Sequence, residues 1–304
     1  MKALVTGASG FIGRALCARL DRPRVLSRTP AKTQAALGAV EPFPWDAEGG
    51  PPPVEAVEGV EAVFHLAGDP VAEGRWTAEK KRRIRDSRIH GTRHLVAALG
   101  AAKARPKVLV CASAVGLYGD RGEEPLTESA APGKDFLAEV CAAWEAEAAK
   151  ARDLGIRVIH LRIGVVLGDG GGALAKLLLP FRLGVGGVLG NGRQWMPWIH
   201  REDVVGLALL AAENSAMSGP VNAAAPGAAT NREFTMALGR VLHRPTLFPA
   251  PRFALRIAFG EFADVLFASQ KVVPKAALDA GYRFAFPGVE GALRAAAGGK
   301  QGRG

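Results

Sequence analysis

Short apolar runs alternate with longer stretches of helical period through the first half of the chain. Apolar runs bounded by turn residues indicate strands, and apolar positions three or four residues apart indicate helices. The predicted strands are residues 3–5, 24–27, 62–66, 107–111 and 157–161, and the predicted helices are residues 14–20, 77–100 and 136–151. Such alternation is typical of a parallel sheet with crossover helices. The pattern therefore predicts an α/β fold with a doubly wound, Rossmann-type parallel sheet.

The pattern changes after Gly168, where a glycine-rich turn over residues 168–172 is followed by prolines that divide the chain into short elements. Glycine and proline interrupt regular structure, so we expect a smaller and less regular unit there. The predicted organisation is a Rossmann domain over residues 1–165 and a smaller region over residues 166–304. A helix near residues 203–213 is expected to pack back onto the first domain, and residues 297–304 to be disordered.

A second glycine-rich turn, Thr-Gly-Ala-Ser-Gly-Phe-Ile-Gly over residues 6–13, joins the first predicted strand to the first predicted helix. In this context the first glycine permits the sharp turn, the second lets the backbone approach a pyrophosphate, and the third lets the helix pack on the strand. Free amides and the helix dipole then favour the phosphates of a dinucleotide. The residues expected to contact the dinucleotide here are Gly7, Ser9, Gly10, Phe11, Ile12 and Gly13.

The residues after the second predicted strand distinguish NADP(H) from NAD(H). NAD sites usually carry an acidic residue there for the ribose 2′-hydroxyl, whereas an arginine suits a 2′-phosphate. This chain has Ser27 and Arg28 at that point, with Lys32 nearby and no acid. Ser27 can donate one hydrogen bond and Arg28 a charge-assisted pair. The sequence therefore predicts NADP(H), unless Arg28 is only a solvated surface charge.

Composition and charge add few constraints. The 304 residues are 48% hydrophobic, and no apolar run approaches the ~20 residues that cross a bilayer. The N-terminus runs straight into a strand rather than a signal-peptide core, so we expect a cytoplasmic protein. Cys17, Cys111 and Cys141 show no metal-ligand or disulfide spacing and are expected to be buried thiols, with no metal site. The net charge of +10 alone does not indicate nucleic-acid binding, because the basic residues are scattered.

Further motifs are distributed over nearly the whole chain. They are Leu66-Ala67-Gly68, Arg75-Trp76-Thr77, Ser87-Arg88, Trp144-Glu145, the run LRIGVVLG over residues 161–168, Pro197-Trp198-Ile199-His200, Ala225-Pro226, Thr230-Asn231 and Gln270-Lys271-Val272-Val273-Pro274. Together with the spacing TGxxGxxG they resemble one subgroup of the extended short-chain dehydrogenase/reductases. That subgroup comprises atypical "epimerase family" proteins with a C-terminal extension of unknown function. The resemblance implies cofactor contacts at Ser27, Arg28, Leu66, Ala67, Gly68, Arg88 and Val166, and at Asp46 for the adenine amino group.

The same resemblance raises a question about the chemistry. Standard members of the superfamily use an Asn-Ser-Tyr-Lys set, in which the tyrosine is the general acid/base. Alignment places Ser113 at the serine position and Arg88 at the asparagine position. Leu137 and Cys141 occupy the tyrosine and lysine positions. Because neither can perform the usual role, the normal proton relay is missing.

Two other residues are candidate acid/base groups. Tyr118 lies five residues after Ser113 and could reach the same cleft, so Ser113 and Tyr118 are the predicted catalytic residues. The alternative for Tyr118 is a packing or substrate-contact role. His200 could instead supply acid/base chemistry, although a histidine beside apolar residues is more often structural.

The region over residues 166–304 is expected to form the substrate side of the site. Gln194, Trp198 and His200, with Trp195, make an aromatic and polar cluster that would suit a flat or sugar-like ligand, although core packing explains aromatic residues equally well. Arg162 could clamp an anionic substrate group or brace Glu145, and the sequence does not separate these roles.

Three functions remain open at this point. The first is an NADP(H)-dependent oxidoreductase or nucleotide-sugar epimerase-like enzyme acting on an unidentified small molecule. The second is a non-catalytic NADP(H)-binding redox sensor or scaffold. The missing tyrosine–lysine pair favours this second function, whereas Ser113 and a cleft rich in tryptophan and histidine favour the first. Nucleic-acid binding ranks last because it rests on net charge alone, and no membrane association is expected. Dimerisation through the predicted helices 77–100 and 136–151 is common in the superfamily and is a further expectation.

Overall fold

Seven parallel strands form the central sheet of the protein, in a computed structural model that describes residues 1–246 and 249–297. Their order is β11-β7-β5-β4-β1-β2-β3. The strands are β1 (Ala3–Thr6), β2 (Arg24–Ser27), β3 (Glu41–Pro44), β4 (Ala62–His65), β5 (Val108–Ala114), β6 (Pro125–Leu126), β7 (Arg157–Ile163), β8 (Val165–Leu167), β9 (Trp195–Met196), β10 (Trp198–His200), β11 (Gly219–Ala223), β12 (Ala229–Thr230) and β13 (Lys271–Val272). The predicted Rossmann-type parallel sheet is confirmed.

Helices lie on both faces of this sheet and in the C-terminal region. They are α1 (Phe11–Cys17), α2 (Pro30–Leu37), α3 (Val54–Val57), α4 (Ala78–Ala101), α5 (Phe136–Ala149), α6 (Gly172–Arg182), α7 (Arg201–Glu213), α8 (Asn231–Leu242), α9 (Arg252–Phe259), α10 (Phe262–Val265), α11 (Lys275–Asp279) and α12 (Val289–Ala297). Among the described residues, no helix combines the length and apolar character needed to cross a bilayer. The expected disorder of residues 297–304 lies, apart from Ala297, outside the described residues.

Two apolar layers sandwich the sheet. Side chains of alternate strand residues, such as Val5 and Phe64, pack against α1 and α7 on one face. Their neighbours Leu4 and Val63 pack against α4 and α5 on the other. Because parallel strands are buried on both faces, their sequences are almost continuously apolar, which is why the pattern identified them.

The substrate-side region, residues 166–304, contributes more to the central sheet than a domain boundary at residue 165 suggests. β11 adds the seventh strand beside β7, and α7 packs on the sheet as predicted. The short strands outside the sheet form two-stranded pairs, β8 with β10, β9 with β12, and β6 of the first domain with β13. A third apolar cluster, which includes Trp198, Phe234 and Leu293, holds α8 and α12 in place.

The strand order reverses between β4 and β1, because β1 continues through β2 to one edge and β4 through β5 to the other. Ligands of open α/β sheets bind outside the carboxyl ends of the strands at such a reversal. Thr6, His65 and Ser27 stand at or next to those carboxyl ends. The topology therefore places the candidate site at this edge.

Candidate functional site

The glycine turn packs so tightly that side chains do not fit at two of its positions. Gly7 has φ of +68°, and a Cβ added there would lie 2.8 Å from the carbonyl carbon of Leu66. A Cβ added at Gly13 would lie 2.2 Å from the carbonyl oxygen of Gly7. Gly7 thus permits the turn and the approach of the end of β4, while Gly13 permits α1 to begin directly on the turn.

The start of α1 presents unsatisfied backbone donors. Gly10 is the N-cap of this helix and contributes no side-chain cap, and α1 begins at Phe11, three residues earlier than predicted. Both Ser9 and Gly10 are exposed. Free amides at the positive end of a helix form an anion-binding surface. The local geometry therefore fits a pyrophosphate, with Ile12 in the same first turn.

Phe11 connects this turn to the substrate-side region. Its ring touches the glycine-rich turn before α6, where a Cβ added at Gly171 would lie 2.8 Å from Phe11 Cδ2. The Arg201 guanidinium covers the ring at 4.8 Å and also donates to the Asp169 carbonyl oxygen at 2.9 Å. These contacts hold residues 168–172 over the start of α1. The sequence pattern did not predict them.

A buried hydrogen-bond chain fixes the ends of β1 and β4. Thr6 Oγ1 accepts from the amides of Leu66 and Ala67, both at 3.1 Å, and lies 2.7 Å from His65 Nδ1. Since the hydroxyl uses both lone pairs, its proton must go to Nδ1. His65 Nε2 then donates to Thr92 Oγ1 at 2.9 Å. Leu66 and Ala67 are thereby positioned beside the glycine turn, and His65 is neutral.

Burial, followed by the nearby Arg88 charge, lowers the pKa of His65 to about 4. A lowered histidine pKa means that the unfolded chain binds protons that the folded chain does not, from about pH 6.5 downward. We expect the free energy of unfolding to fall as the pH decreases from about 6.5 to about 4, with His65 contributing roughly 3 kcal/mol at most.

Urea denaturation across this pH range tests the prediction with His65→Gln. The decline should become shallower in His65→Gln than in the wild type. It should not disappear, because burial also lowers the pKa of His160 to about 4 and lowers that of His200. The exposed His90 provides the control, since His90→Gln should follow the wild-type profile. An unchanged profile in His65→Gln would remove His65 from this role.

The predicted 2′-phosphate site lies at the end of β2. Arg28 is exposed, and within the described chain its guanidinium has no hydrogen-bond or ion-pair partner. Ser27 Oγ is 2.7 Å from Thr33 Oγ1 and accepts from the Thr29 amide at 3.1 Å, which orders the loop that carries Arg28. Asp46 is exposed at the end of β3 and accepts from the Glu48 amide at 3.2 Å. An unpaired arginine is therefore available at the predicted position.

Arg88 lies at the other end of the site, beside the end of β4. Its Nη1 donates to the carbonyl oxygens of Asp69 and Ile84 at 2.9 and 3.0 Å. The guanidinium stacks on the Trp144 ring at 5.1 Å, and a Cβ added at Gly68 would lie 3.0 Å from Arg88 Cζ. Arg88 thus joins α4 to α5 directly behind the exposed Gly68.

Val166 lies on β8, where its carbonyl oxygen would be 3.0 Å from a Cβ added at Gly172. It therefore stands beside the turn that Phe11 contacts, at the same edge of the sheet.

In the part of the chain that the structure describes, no group of three His, Cys, Asp or Glu side chains is arranged to hold a metal. The three cysteines are buried and free of disulfides.

Ser113 and Arg162 meet in a buried network centred on Glu145. Arg162 donates from Nε and Nη2 to the two Glu145 oxygens, each at 2.9 Å, and Ser113 Oγ donates to Glu145 at 2.7 Å. Burial alone would raise the pKa of the Glu145 carboxyl, but the hydrogen bonds from Arg162 and Ser113 outweigh it and lower the pKa. Of the two roles left open for Arg162, the structure shows that it braces Glu145.

Tyr118 belongs to the same network and lies in the interior. Its side chain is fully buried; the hydroxyl donates to Asn222 Oδ1 at 2.6 Å and accepts from Arg162 Nη1 at 2.9 Å. Burial raises the pKa of this phenol further from neutrality. These contacts correct the expected position in an open cleft and support the packing alternative.

The residues at the positions expected for the tyrosine and the lysine are apolar or uncharged. Leu137 packs on Gly116, where an added Cβ would lie 3.3 Å from Leu137 Cβ. Cys141 is buried, and burial raises the pKa of its thiol to about 11. Neither residue gains a proton-transferring or cationic character from its surroundings.

The residues predicted to face the substrate take part in core packing, helix capping and hydrogen bonds to the backbone. Trp198 is buried in the third apolar cluster and donates from Nε1 to the Gly227 carbonyl oxygen at 3.0 Å. His200 caps α7 through Nδ1, which accepts from the Glu202 amide at 3.3 Å. Gln194 is buried and donates to the Leu189 carbonyl oxygen at 3.2 Å. The core-packing alternative therefore describes Trp198 better than a ligand-facing position does.

Comparison with known proteins places these features in a family. Residues 3–224 match the NAD dependent epimerase/dehydratase family, and residues 250–296 match a domain of unknown function, DUF1731. The chain is 42% identical over 309 residues to the epimerase family protein SDR39U1 homolog, chloroplastic, of Arabidopsis thaliana, with 97% of this chain and 86% of the relative covered. It is 38% identical over 299 residues to the epimerase family protein YfhF of Bacillus subtilis, with coverages of 96% and 97%.

A crystal structure of the human epimerase family protein SDR39U1 (isoform 2) with NADPH has a TM-score of 0.87 and 34% identity to this chain, covering 98% of this chain and 100% of that chain. The resemblance inferred from the motifs, including the C-terminal extension, is confirmed. This chain belongs to the NAD dependent epimerase/dehydratase family, in the group of epimerase family proteins that carry a C-terminal domain of unknown function.

Proposed function

We propose that this protein binds NADP(H) across the carboxyl ends of β1, β2 and β4. The observation that carries the proposal is the glycine turn together with Arg28, an exposed arginine at the end of β2 that has no partner among the described residues. The human relative whose crystal structure contains NADPH supports the choice of cofactor. The turn and the start of α1 would hold the pyrophosphate, and Arg28 would bind the 2′-phosphate.

The remaining cofactor contacts follow from the same placement. Ser27 and Asp46 would lie at the adenosine half, while Leu66, Ala67 and Gly68 would line the path toward β5. Val166 would contact the cofactor from the opposite side, that of the substrate-side region, residues 166–304. When bound, the nicotinamide ring supplies hydride chemistry; the residues of this chain bind and orient it.

The geometry favours cofactor binding without the proton relay of standard family members. A relay needs a titratable group within hydrogen-bond reach of the reacting oxygen. Tyr118 is buried with its hydroxyl engaged, His200 caps a helix, and Ser113 donates to Glu145. These engagements support the NADP(H)-binding sensor or scaffold over an epimerase-like enzyme.

Turnover separates the two functions. We expect purified protein incubated with NADPH and a panel of carbonyl compounds and nucleotide sugars to release no product above a Gly13→Ala control. Product formation by the wild type that is lost in Ser113→Ala or Tyr118→Phe would instead support the oxidoreductase.

Removal of Arg28 tests the cofactor assignment. Because a charge-assisted hydrogen-bond pair to a phosphate contributes about 1.5–3 kcal/mol, Arg28→Ala should weaken NADPH binding by roughly 10- to 100-fold. NADH lacks the 2′-phosphate, so its affinity should change little. Fluorescence titration with both nucleotides measures this, with Arg283→Ala as a control at another exposed arginine. Tighter binding of NADH than NADPH by the wild type would contradict the assignment.

Two expectations remain predictions. A cytoplasmic location is one. Dimerisation through α4 and α5 is the other, and among the described residues neither helix contributes to the exposed large apolar side chains, which include Leu179, Leu183, Phe253 and Ile257.

A further inference from the structure

Arg88 forms no ion pair with a carboxylate among the described residues, although the Asp69 charge acts on it without direct contact. Its two hydrogen bonds go to the backbone carbonyl oxygens of Asp69 and Ile84, and both use Nη1. Within the described residues no ion pair involves Arg88, and its Nε and Nη2 donate to no protein atom. Burial lowers the pKa of this guanidinium, yet arginine remains charged at neutral pH. One positive charge therefore stands behind Gly68.

Two other cations near this end of the site are paired with carboxylates. Lys80 pairs with Asp69, and Arg162 pairs with Glu145. His65 and Cys141 are both neutral at pH 7, because burial lowers the pKa of the first to about 4 and raises that of the second to about 11. Asp135, an exposed carboxylate at the start of α5, also acts on Cys141 but forms no ion pair with Arg88, so Arg88 remains an unpaired cation among the described residues.

The position of this charge matters because of what the family places there. By the alignment, Leu137 and Cys141 stand where standard members carry the tyrosine and lysine, beside the nicotinamide end of the cofactor. Arg88 opposes the effect of burial on the pKa of the Cys141 thiol, and it stacks on Trp144, one turn further along α5. Arg88, on α4, therefore brings a positive charge close to the position at which the resemblance implies the lysine.

We propose that the unpaired charge of Arg88 makes the site select NADPH over NADP⁺. The proposal rests on the proposed function. The oxidised nicotinamide ring carries a positive charge and the reduced ring is neutral, so a cation nearby disfavours only the oxidised form. The adenosine half and the 2′-phosphate are the same in both forms, and Arg28 and the glycine turn contribute equally to each. Selective binding of the reduced form suits a protein that responds to the NADPH/NADP⁺ ratio.

Calorimetric titration of the wild type with NADPH and with NADP⁺ tests the proposal without any variant. Coulomb repulsion between the guanidinium and the oxidised ring, at the effective dielectric constant of about 20 found near protein surfaces, predicts roughly 10-fold to 100-fold tighter binding of NADPH. Equal affinities, or tighter NADP⁺ binding, would overturn the inference and leave the proposed function intact. Binding of neither nucleotide would instead refute the proposed function.

Variants then test whether Arg88 is the source of the selectivity for NADPH. Arg88→Met should bring the two affinities within about 3-fold of each other, whereas Arg88→Lys should retain the preference. Leu137→Glu, at a partly exposed position, should reduce the preference by adding a compensating negative charge. Arg28→Ala is the control, because it should weaken both nucleotides equally and leave their ratio unchanged. Equal losses of NADPH and NADP⁺ affinity in Arg88→Met would assign Arg88 to the phosphates and overturn the inference.

Discussion

Gly13→Ala is expected to destabilise the protein by about 3 kcal/mol or more and to abolish NADPH binding. The added methyl group would lie 2.2 Å from the Gly7 carbonyl oxygen and 2.8 Å from Ala8 Cα, both of which are backbone atoms. A side chain can move away from such an overlap, but here α1 must shift off the turn. The amides that would face the pyrophosphate shift with it.

Gly10→Ala is the matched control within the same turn. Its Cβ would lie 3.1 Å from the Gly7 carbonyl oxygen, and the position is exposed, so we expect stability within about 1 kcal/mol of the wild type. Its affinity for NADPH should still fall, because the methyl group points where the phosphates approach. Urea denaturation and nucleotide titration of the two variants give both quantities. Wild-type stability and affinity in Gly13→Ala would show that the turn is not packed as described.

Glu145→Gln is expected to cost about 3–5 kcal/mol of stability, the usual result of leaving a buried charge without its partner. Glutamine keeps the shape of the side chain but removes the charge that two Arg162 nitrogens contact at 2.9 Å. The strain should propagate to Ser113 and Tyr118, which share the network. Urea denaturation measures the cost.

Glu147→Gln on the same helix provides the control. Glu147 is equally buried, but its partners Arg93 and Lys150 are about half exposed, so we expect a loss of about 1 kcal/mol or less. The pH dependence gives a second test. Because folding lowers the pKa of Glu145, its carboxylate stabilises the fold above the ordinary pKa of about 4.3, and this contribution is lost as the pH falls through the lowered value. The difference between wild type and Glu145→Gln should therefore shrink below about pH 4; a constant difference would contradict the charge argument.

Most of the sheet could be predicted because buried parallel strands leave an unambiguous apolar signal. β3 was missed, since Pro42 and Pro44 argue against a strand. Proline is tolerated there because β3 is at the edge of the sheet and pairs only with β2. β11 was missed for a different reason: it begins with Gly219-Pro220 and follows the proline-rich segment that the sequence pattern assigned to a separate unit.

The cofactor end of the site was predictable because it depends on local sequence. A glycine turn between a strand and a helix, followed by an arginine after the next strand, is recognisable without knowing what lies nearby. The position of Tyr118 was not, because its burial depends on Asn222 and Arg162, more than 40 residues away in the chain. Thr6 carried a signal that could have been used, since its hydroxyl precedes the turn and fixes the end of β4.

In the proposed function, cofactor binding is separate from the family's usual chemistry. The glycine turn and Arg28 would bind the dinucleotide, whereas Leu137 and Cys141 could not form the usual proton relay. The proposed role of Arg88 is to contribute charge without a transferable proton.

A crystal structure of the protein with NADPH tests the central claim most directly. We expect the pyrophosphate on the amides at the start of α1, the 2′-phosphate within hydrogen-bonding distance of the Arg28 guanidinium, and the nicotinamide ring on the Arg88 side of Gly68. A 2′-phosphate bound by other residues while Arg28 faces solvent, or a nucleotide lying away from the glycine turn, would contradict the account.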